Sequence, residues 1–299
     1  MISIAGIDQE RWGILKSVLS IVMHSDTAKD VLAQVIDGLP TKATYELTIT
    51  HRFDLLSRSK PSQDTRDLSQ QFCYSLETLD NLRLNPKVAQ LYQDSQLFSS
   101  TFSMHLLELV AMAVHDMAGN LYAAFHPQGE PCSAEAATQP FQPKDLISLS
   151  TWYYATPDRY PRGFLDVVGY WAETHIFGGV VVFDRGSEEG ARRCHGAYIH
   201  PPRPDLQLFQ LSESQLEQFC RLGSQDERDG RQITVPFVCK PEARKIDHYL
   251  AFRDLNIYRD RYERRIDPTP RWGPCVVRLE DHPELREFNR LAKEGFGPK

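Results

Sequence analysis

The sequence predicts a mixed α/β protein, with a helical N-terminal half packed on a mixed sheet contributed by the C-terminal half. Apolar residues recur at three- and four-residue spacing from Ile14 to Val114, the period of a helix. Beyond a Gly-, Pro- and Ser-rich stretch the texture changes to short β-branched runs punctuated by Gly and Pro. With 299 residues, 41% apolar, 25% charged and 10% aromatic, the chain can bury a sizeable core and falls outside the disordered, collagenous and membrane classes.

Ile14, Leu15, Val18, Leu19 and Val22 form one apolar stripe, which predicts a first helix over Ile7–Val22 ending near His24. Ser25 or Asp26 stands at the N-cap of a second helix striped by Val31, Leu32, Val35, Ile36 and Leu39, and Gly38 with Pro40 stops it. Tyr45, Leu47 and Ile49 alternate with polar residues as in a half-buried strand, and the Ser57–Arg66 segment with its Lys60-Pro61-Ser62 reads as an exposed loop. Leu68, Phe72, Leu76, Leu79 and Leu82 mark an amphipathic helix. Pro86 suits the first turn of the next, through Leu91, Tyr92 and Phe98. Phe102–Val114 is apolar nearly all round, as in a buried helix capped by Ser100 or Thr101; a hairpin turning at Gly119-Asn120 competes with it. His105 and His115 lie nearly three turns apart on that helix, too far for one ion, and read as core histidines.

Gly129–Pro143 lacks large apolar residues and marks a boundary between a mainly helical part, 1–128, and a mixed α/β part, 144–299, sharing one core. Strands are expected at Ile176–Phe183, Gly196–His200, Leu206–Leu211, Ile233–Val238 and Cys275–Leu279. Leu216, Phe219 and Cys220 with capping Ser212 and Ser214 predict a short helix, and Tyr249–Arg265 a longer charged one.

Thirty-four Lys and Arg against 40 Asp and Glu give a net charge of −6. That disfavours bulk adhesion to nucleic acid and leaves room only for a local basic face. The six cysteines are dispersed without a C-x-x-C pair, as in an intracellular protein with reduced thiols. Met1–Glu10 has no basic leader region, and Lys16, Ser17 and Ser20 break the apolar run Ile14–Met23, so a cytoplasmic chain with no membrane span is expected. Cys194 and His195 are adjacent, but neighbours on a strand face opposite ways and form no nucleophile pair.

The densest signal is Tyr170-Trp171-Ala172-Glu173 followed by Phe177-Gly178-Gly179-Val180-Val181-Val182-Phe183-Asp184-Arg185-Gly186-Ser187-Glu188-Glu189. A continuous β-branched run suits a strand covered on both faces, and a polar turn at its carboxyl end is where α/β proteins place ligands. No phosphate-cradling glycine pattern and no G-x-S-x-G frame surrounds it. On a helix, Tyr258, Arg261, Tyr262 and Arg265 would share one face, mixing aromatic and cationic side chains suited to bases and phosphates; Asp260 and Glu263 would make the same helix an ordinary salt-bridged surface. A third cluster, Trp152-Tyr153-Tyr154, Asp158, Tyr160 and Asp166, supplies aromatic walls and carboxylates fit to surround a cation, or plain core. His175, His195 and His200 lack metal-ligand spacing, and neither a metal nor a cofactor is expected.

On the segments Tyr170–Glu173, Phe177–Gly186 and Tyr258–Arg264, and also on Leu109–Asp116, the chain resembles a broad filamentous-fungal family of hypothetical proteins. More narrowly it is similar in size and character to arginine-containing cyclodipeptide synthases, enzymes of specialised metabolism that join two aminoacyl groups taken from tRNA, although no catalytic motif transfers residue by residue. The resemblance implies arginyl-tRNA and a second aminoacyl-tRNA as partners. It implies Glu173 or Asp184 as the base and Tyr170 or Tyr198 as an oxyanion donor. Arg185, Ser187, Glu188 and Glu189 would line the substrate pocket, and Tyr258, Arg259, Arg261, Tyr262, Arg264 and Arg265 would contact nucleic acid. A non-enzymatic interaction module, or a small-molecule cyclase or isomerase, are the alternatives.

Overall fold

The computed structural model describes residues 7–45, 55, 57–74, 84–127, 147–186, 194–202, 207–222 and 235–260. Eight α-helices and a five-stranded antiparallel sheet make up the described chain, with the helices mostly N-terminal and the sheet confined to the C-terminal half.

Local chemistry sets the N-terminal helices. Asp8 caps α1 (Gln9–His24) by accepting from the Arg11 amide, and Ser25 caps α2 (Asp26–Asp37) by accepting from Ala28. Gly38, left-handed at φ 70°, ends α2. Helix α3 (Gln63–Tyr74) begins inside the segment expected to be loop. Asn85 and a first-turn proline open α4 (Pro86–Asp94). The expected strand around Leu47 and Ile49 lies outside the described residues, as do Leu76, Leu79 and Leu82 of the expected amphipathic helix.

Helix α5 (Ser100–Phe125) is capped by Ser99, one residue earlier than expected, and runs straight through Gly119-Asn120, so the hairpin reading is overturned. Nearly all of its turns are buried, consistent with an apolar pattern that leaves no solvent face. Two 3₁₀ turns, Trp152–Tyr154 and Pro157–Arg159, lead into α6 (Phe164–Phe177). This helix takes the residues expected to begin a strand at Ile176: Phe164–Phe177 is helical, and Gly178, left-handed at φ 86°, ends it. The turn is tight, because a Cβ on Gly179 would lie 2.5 Å from the His200 carbonyl oxygen.

The strands are β1 (Val180–Asp184), β2 (Gly196–His200), β3 (Gln207–Gln210), β4 (Lys245–Asp247) and β5 (Ile257–Tyr258), in spatial order β4-β3-β2-β1-β5. Every neighbouring pair is antiparallel: β1 aligns Val182 with Tyr198 on one side and Phe183 with Tyr258 on the other. The β-branched run of β1 is buried throughout, Val180–Phe183 having no exposure. Its antiparallel setting, however, offers no crossover point at parallel strand ends for a ligand. Ser212 and Gln215 form a capping box at α7 (Glu213–Arg221). The long charged helix expected over Tyr249–Arg265 is replaced by the six-residue α8 (His248–Arg253), and Asn256, at φ 53°, turns the chain into β5. No strand is assigned over the described part of Ile233–Val238, and Cys275–Leu279 lies outside the described residues.

One contiguous buried cluster runs from Ile14 on α1 to Ile257 on β5, with Trp171, Tyr92, Phe102 and Phe183 among its largest members. Helices α5 and α6 pack closely at its centre. A Cβ on Gly169 would stand 2.6 Å from the His115 ring, and one on Gly119 2.8 Å from the Leu165 carbonyl oxygen. Among the described residues no helix is long and apolar enough to cross a membrane.

Candidate functional site

Spacing on two helices builds the site. On α6, Asp166, Tyr170 and Glu173 stand four and three residues apart and so share a face; on α5, Glu108, Met112 and His115 do the same. Glycine at 169 lets the two faces meet, and four titratable or charged groups, His115, Asp166, Glu173 and Arg259, converge there. His115 Nε2 lies 3.1 Å from Asp166 Oδ1, and Nδ1 lies 2.8 Å from Glu173 Oε1. Arg259, just beyond β5, donates from Nη1 to Glu173 Oε2 at 2.5 Å and stands over the Tyr170 ring at 5.0 Å.

Glu173 is fully buried, His115 is 7% exposed and Arg259 2%. Burial drives the imidazole toward neutrality, but the hydrogen bonds it donates to Asp166 and Glu173 more than offset it, so the His115 pKa lies above its ordinary value even with Arg259 Nη2 3.2 Å from Nδ1. Asp166 shows the converse. Burial raises its pKa, while the His115 bond and the Arg162 amide hold it below the usual carboxylate range.

The cluster opens to one side. A cavity of about 150 Å³ is lined by His115, Asp116, Tyr160, Arg162, Asp166, Tyr170, Arg259 and Asp260 with Met112 and Pro161. Arg162 closes one wall by donating to Asp116 Oδ1 and Asn120 Oδ1, both at 2.6 Å. The arrangement can bind a compact polar group, relay a proton between Asp166 and Glu173 through His115, and place a fixed cation beside developing negative charge.

Of the residues singled out in the sequence, Glu173, Tyr170 and Arg259 meet here. The aromatic and acidic cluster contributes too: Tyr160 lines the cavity, Tyr154 stacks on Tyr170 at 4.5 Å, and Asp166 bonds His115. Asp158 is exposed and lines no part of the cavity. The cation that the Tyr170 ring faces is the protein's own Arg259. That burial removes Arg259 from the expected nucleic-acid surface; its partner Tyr258 is half-buried in β5, and Arg261, Tyr262, Arg264 and Arg265 lie outside the described residues.

Asp184 and Tyr198 stand apart from the cavity. Asp184 accepts from the Gly186 amide at 2.9 Å, a turn-holding bond, and Tyr198 is buried in the middle of β2. Arg185 is no open substrate contact: it is 3% exposed and paired with Glu108 on α5. Burial opposes the Glu108 charge, yet Arg185 brings the carboxyl down to about 2. Ser187, Glu188 and Glu189 lie outside the described residues. Cys194 is buried against Glu108 and Arg185, and burial pushes its thiol well up, while His195 is exposed; the two form no nucleophile pair.

His105, Glu108 and Cys194 bring three potential ligand atoms within 4.8 Å of one another. The Arg185 guanidinium already serves two of them, at 3.2 Å from Glu108 Oε2 and 3.3 Å from Cys194 Sγ, so the cation of this cluster is an arginine.

The sequence did not single out His115, Asp116 or Arg162 as site residues, and it gave Asp166 only as a member of the cluster fit to surround a cation. The signal was the four-then-three spacing of Asp166, Tyr170 and Glu173, legible only once 164–177 is read as a helix rather than as the approach to a strand. No family model, curated protein or solved structure matches the chain.

Proposed function

We propose that the chain is an aminoacyl transferase that forms an arginine-containing cyclic dipeptide from groups delivered on tRNA, with its chemistry in the cavity between α5, α6 and Asp260. The observation that supports this most is charge. Around the cavity four carboxylates, Asp116, Asp166, Glu173 and Asp260, meet two arginines, Arg162 and Arg259, and the His115 imidazole, so the balance is negative whether or not His115 carries its second proton. A guanidinium or ammonium group entering the cavity offsets it. The volume, about 150 Å³, is of the order that holds a ligand about the size of benzene, which suits an arginyl end rather than a nucleotide.

In the proposed step the amino group of one aminoacyl unit attacks the ester carbonyl of the other. A C–N bond forms and the bond from carbonyl carbon to ribose oxygen breaks, giving a dipeptidyl-tRNA and one free tRNA. In a second such step the terminal amine of the dipeptide attacks the remaining ester, closing the ring and freeing the other tRNA, and each time the amine proton passes by way of Asp166 to the leaving ribose oxygen. In this reading His115 and Glu173 behind Asp166 carry the compensating charge, and Tyr170, which lines the cavity, serves as the oxyanion donor. The burial of Arg259 takes one arginine from the expected tRNA face. That observation favours, as the second reading, a small-molecule cyclase or isomerase using the same acid and base.

Mass spectrometry of metabolites from cells expressing the chain tests this directly. A new cyclic dipeptide ion containing arginine is expected, reduced about 100-fold or more in Asp166→Asn. Soluble protein with no such ion would overturn the reading. The same measurement on Asp184→Ala decides between cavity and turn, since loss confined to that variant would move the site to the turn after β1.

A further inference from the structure

Arg185 has five N–H donors, and the described chain supplies an acceptor for each of them. Nε donates to the Tyr258 carbonyl at 3.1 Å. Nη1 donates to Glu108 Oε2 at 3.2 Å and to Cys194 Sγ at 3.3 Å. Nη2 donates to Glu108 Oε1 at 2.7 Å and to the Arg259 carbonyl at 2.8 Å. Two of the five acceptors are thus consecutive carbonyls of the very segment that delivers Arg259 to the cavity. Strand β5 has only two residues, paired through Phe183–Tyr258 and Asp184–Ile257, so the sheet ladder ends where Arg259 begins.

We propose that Arg185, anchored by Glu108, is the positioning residue of the site: its fork fixes the main chain at Tyr258 and Arg259, so that the Arg259 guanidinium reaches Glu173 and Tyr170. Glu108 and His115 lie seven residues apart on one face of α5, so the anchor and the site are stacked two turns apart on a single rigid element. Arginine suits the task because two carbonyls and both oxygens of one carboxylate must be met from a single planar group, whereas lysine offers three donors from a point charge. Phe183 and Tyr258 flank the guanidinium at 5.1 and 6.0 Å and restrict its tilt. The catalytic meaning of this device rests on the cavity being the active site; its geometry does not.

The titration of His115, followed by NMR of the imidazole in the full chain, reads the position of Arg259 without any assay of turnover. His115 faces Asp166, Tyr170 and Glu173 from α6, Arg259 from the segment after β5, and shares the cavity with Asp116 on its own helix, Arg162 and Asp260. Arg259 is the cation that holds its midpoint down. Arg185→Lys is expected to raise that midpoint by about half a pH unit or more, in the same direction as Arg259→Leu, and to add nothing in an Arg259→Leu background. Cys194→Ala, which removes one acceptor without touching either carbonyl, leaves the midpoint in place. Should Arg185→Lys not fold, Glu108→Asp, which keeps the charge and withdraws the anchor by one methylene, gives the same readout. An unmoved midpoint in the folded positioning variant overturns the proposal, as does a shift that persists undiminished without Arg259, or no shift in Arg259→Leu itself. None of these outcomes depends on whether a dipeptide is made.

Discussion

At the scale of single residues, His115 sets the pH behaviour of the site. Its folded pKa lies above the unfolded value of roughly 6.5, so the folded chain holds the proton more tightly. The stabilisation is complete below about pH 6.5 and is lost as pH rises through the folded value. His115→Gln is therefore expected to lose more stability relative to the parent at pH 6 than at pH 9, as urea unfolding at the two pH values would register; an equal gap at both would mean that the imidazole is neutral in the folded chain. His175 works in the opposite sense. Burial, only partly countered by its backbone bond to Thr44, brings it to about 4, so between about pH 6.5 and 4 the unfolded chain takes up a proton that the folded chain refuses, and stability falls.

At the scale of elements, the contact of α5 with α6 tolerates no added atom. In Gly169→Ala the new methyl would stand 2.6 Å from the His115 ring, and neither helix can withdraw without opening the Asp166 and Glu173 bonds. A loss of roughly 1–3 kcal/mol is expected, together with a displaced His115 resonance. Gly13, inside α1, has nothing within 4 Å of an added Cβ. Gly13→Ala should gain roughly 0.5–1 kcal/mol through helix propensity alone. Thermal unfolding of the pair separates close approach from propensity, and a stabilised Gly169→Ala would show that the helices yield. Two caps were legible from residue type: Ser25 and Ser212 each accept from a first-turn amide. Helix α6 was not, because its apolar residues run without a polar face into the β-branched run of β1, and a buried helix and a buried strand share that composition.

At the scale of the whole molecule, two buried ion pairs tie the helices α5 and α6 to the segments that follow β1 and β5. Glu108 on α5 meets Arg185 after β1, and Glu173 on α6 meets Arg259 after β5. Each is dry on both sides, with side-chain exposure of 0–2%. Removing one partner strands a charge in the core. Glu108→Leu is expected to cost roughly 3–5 kcal/mol in urea unfolding; a cost near zero would mean that Arg185 reaches solvent when released. The same pairs tie the position of β5 to the helical layer, so the site forms only when sheet and helices have docked.

What the sequence determined by itself was local: the helices α1, α2, α4 and α5, the caps at Ser25 and Ser212, the strands β2 and β3, the burial of the Val180–Phe183 run, and the mixed α/β class. Those follow from side-chain period and capping chemistry within a few residues. Glu173 and Tyr170 were legible as candidates from residue type, and Tyr160 and Asp166 as members of a cluster suited to a cation. Tertiary structure decided the rest. It placed Arg259 inside rather than on a surface helix, turned Arg185 from a substrate contact into a clamp on the main chain, and brought His115 between two carboxylates. His115 lies 51 residues from Asp166, 58 from Glu173 and 144 from Arg259. No local period carries information over such separations, and only the docking of α5, α6 and β5 converts four scattered charged residues into one site.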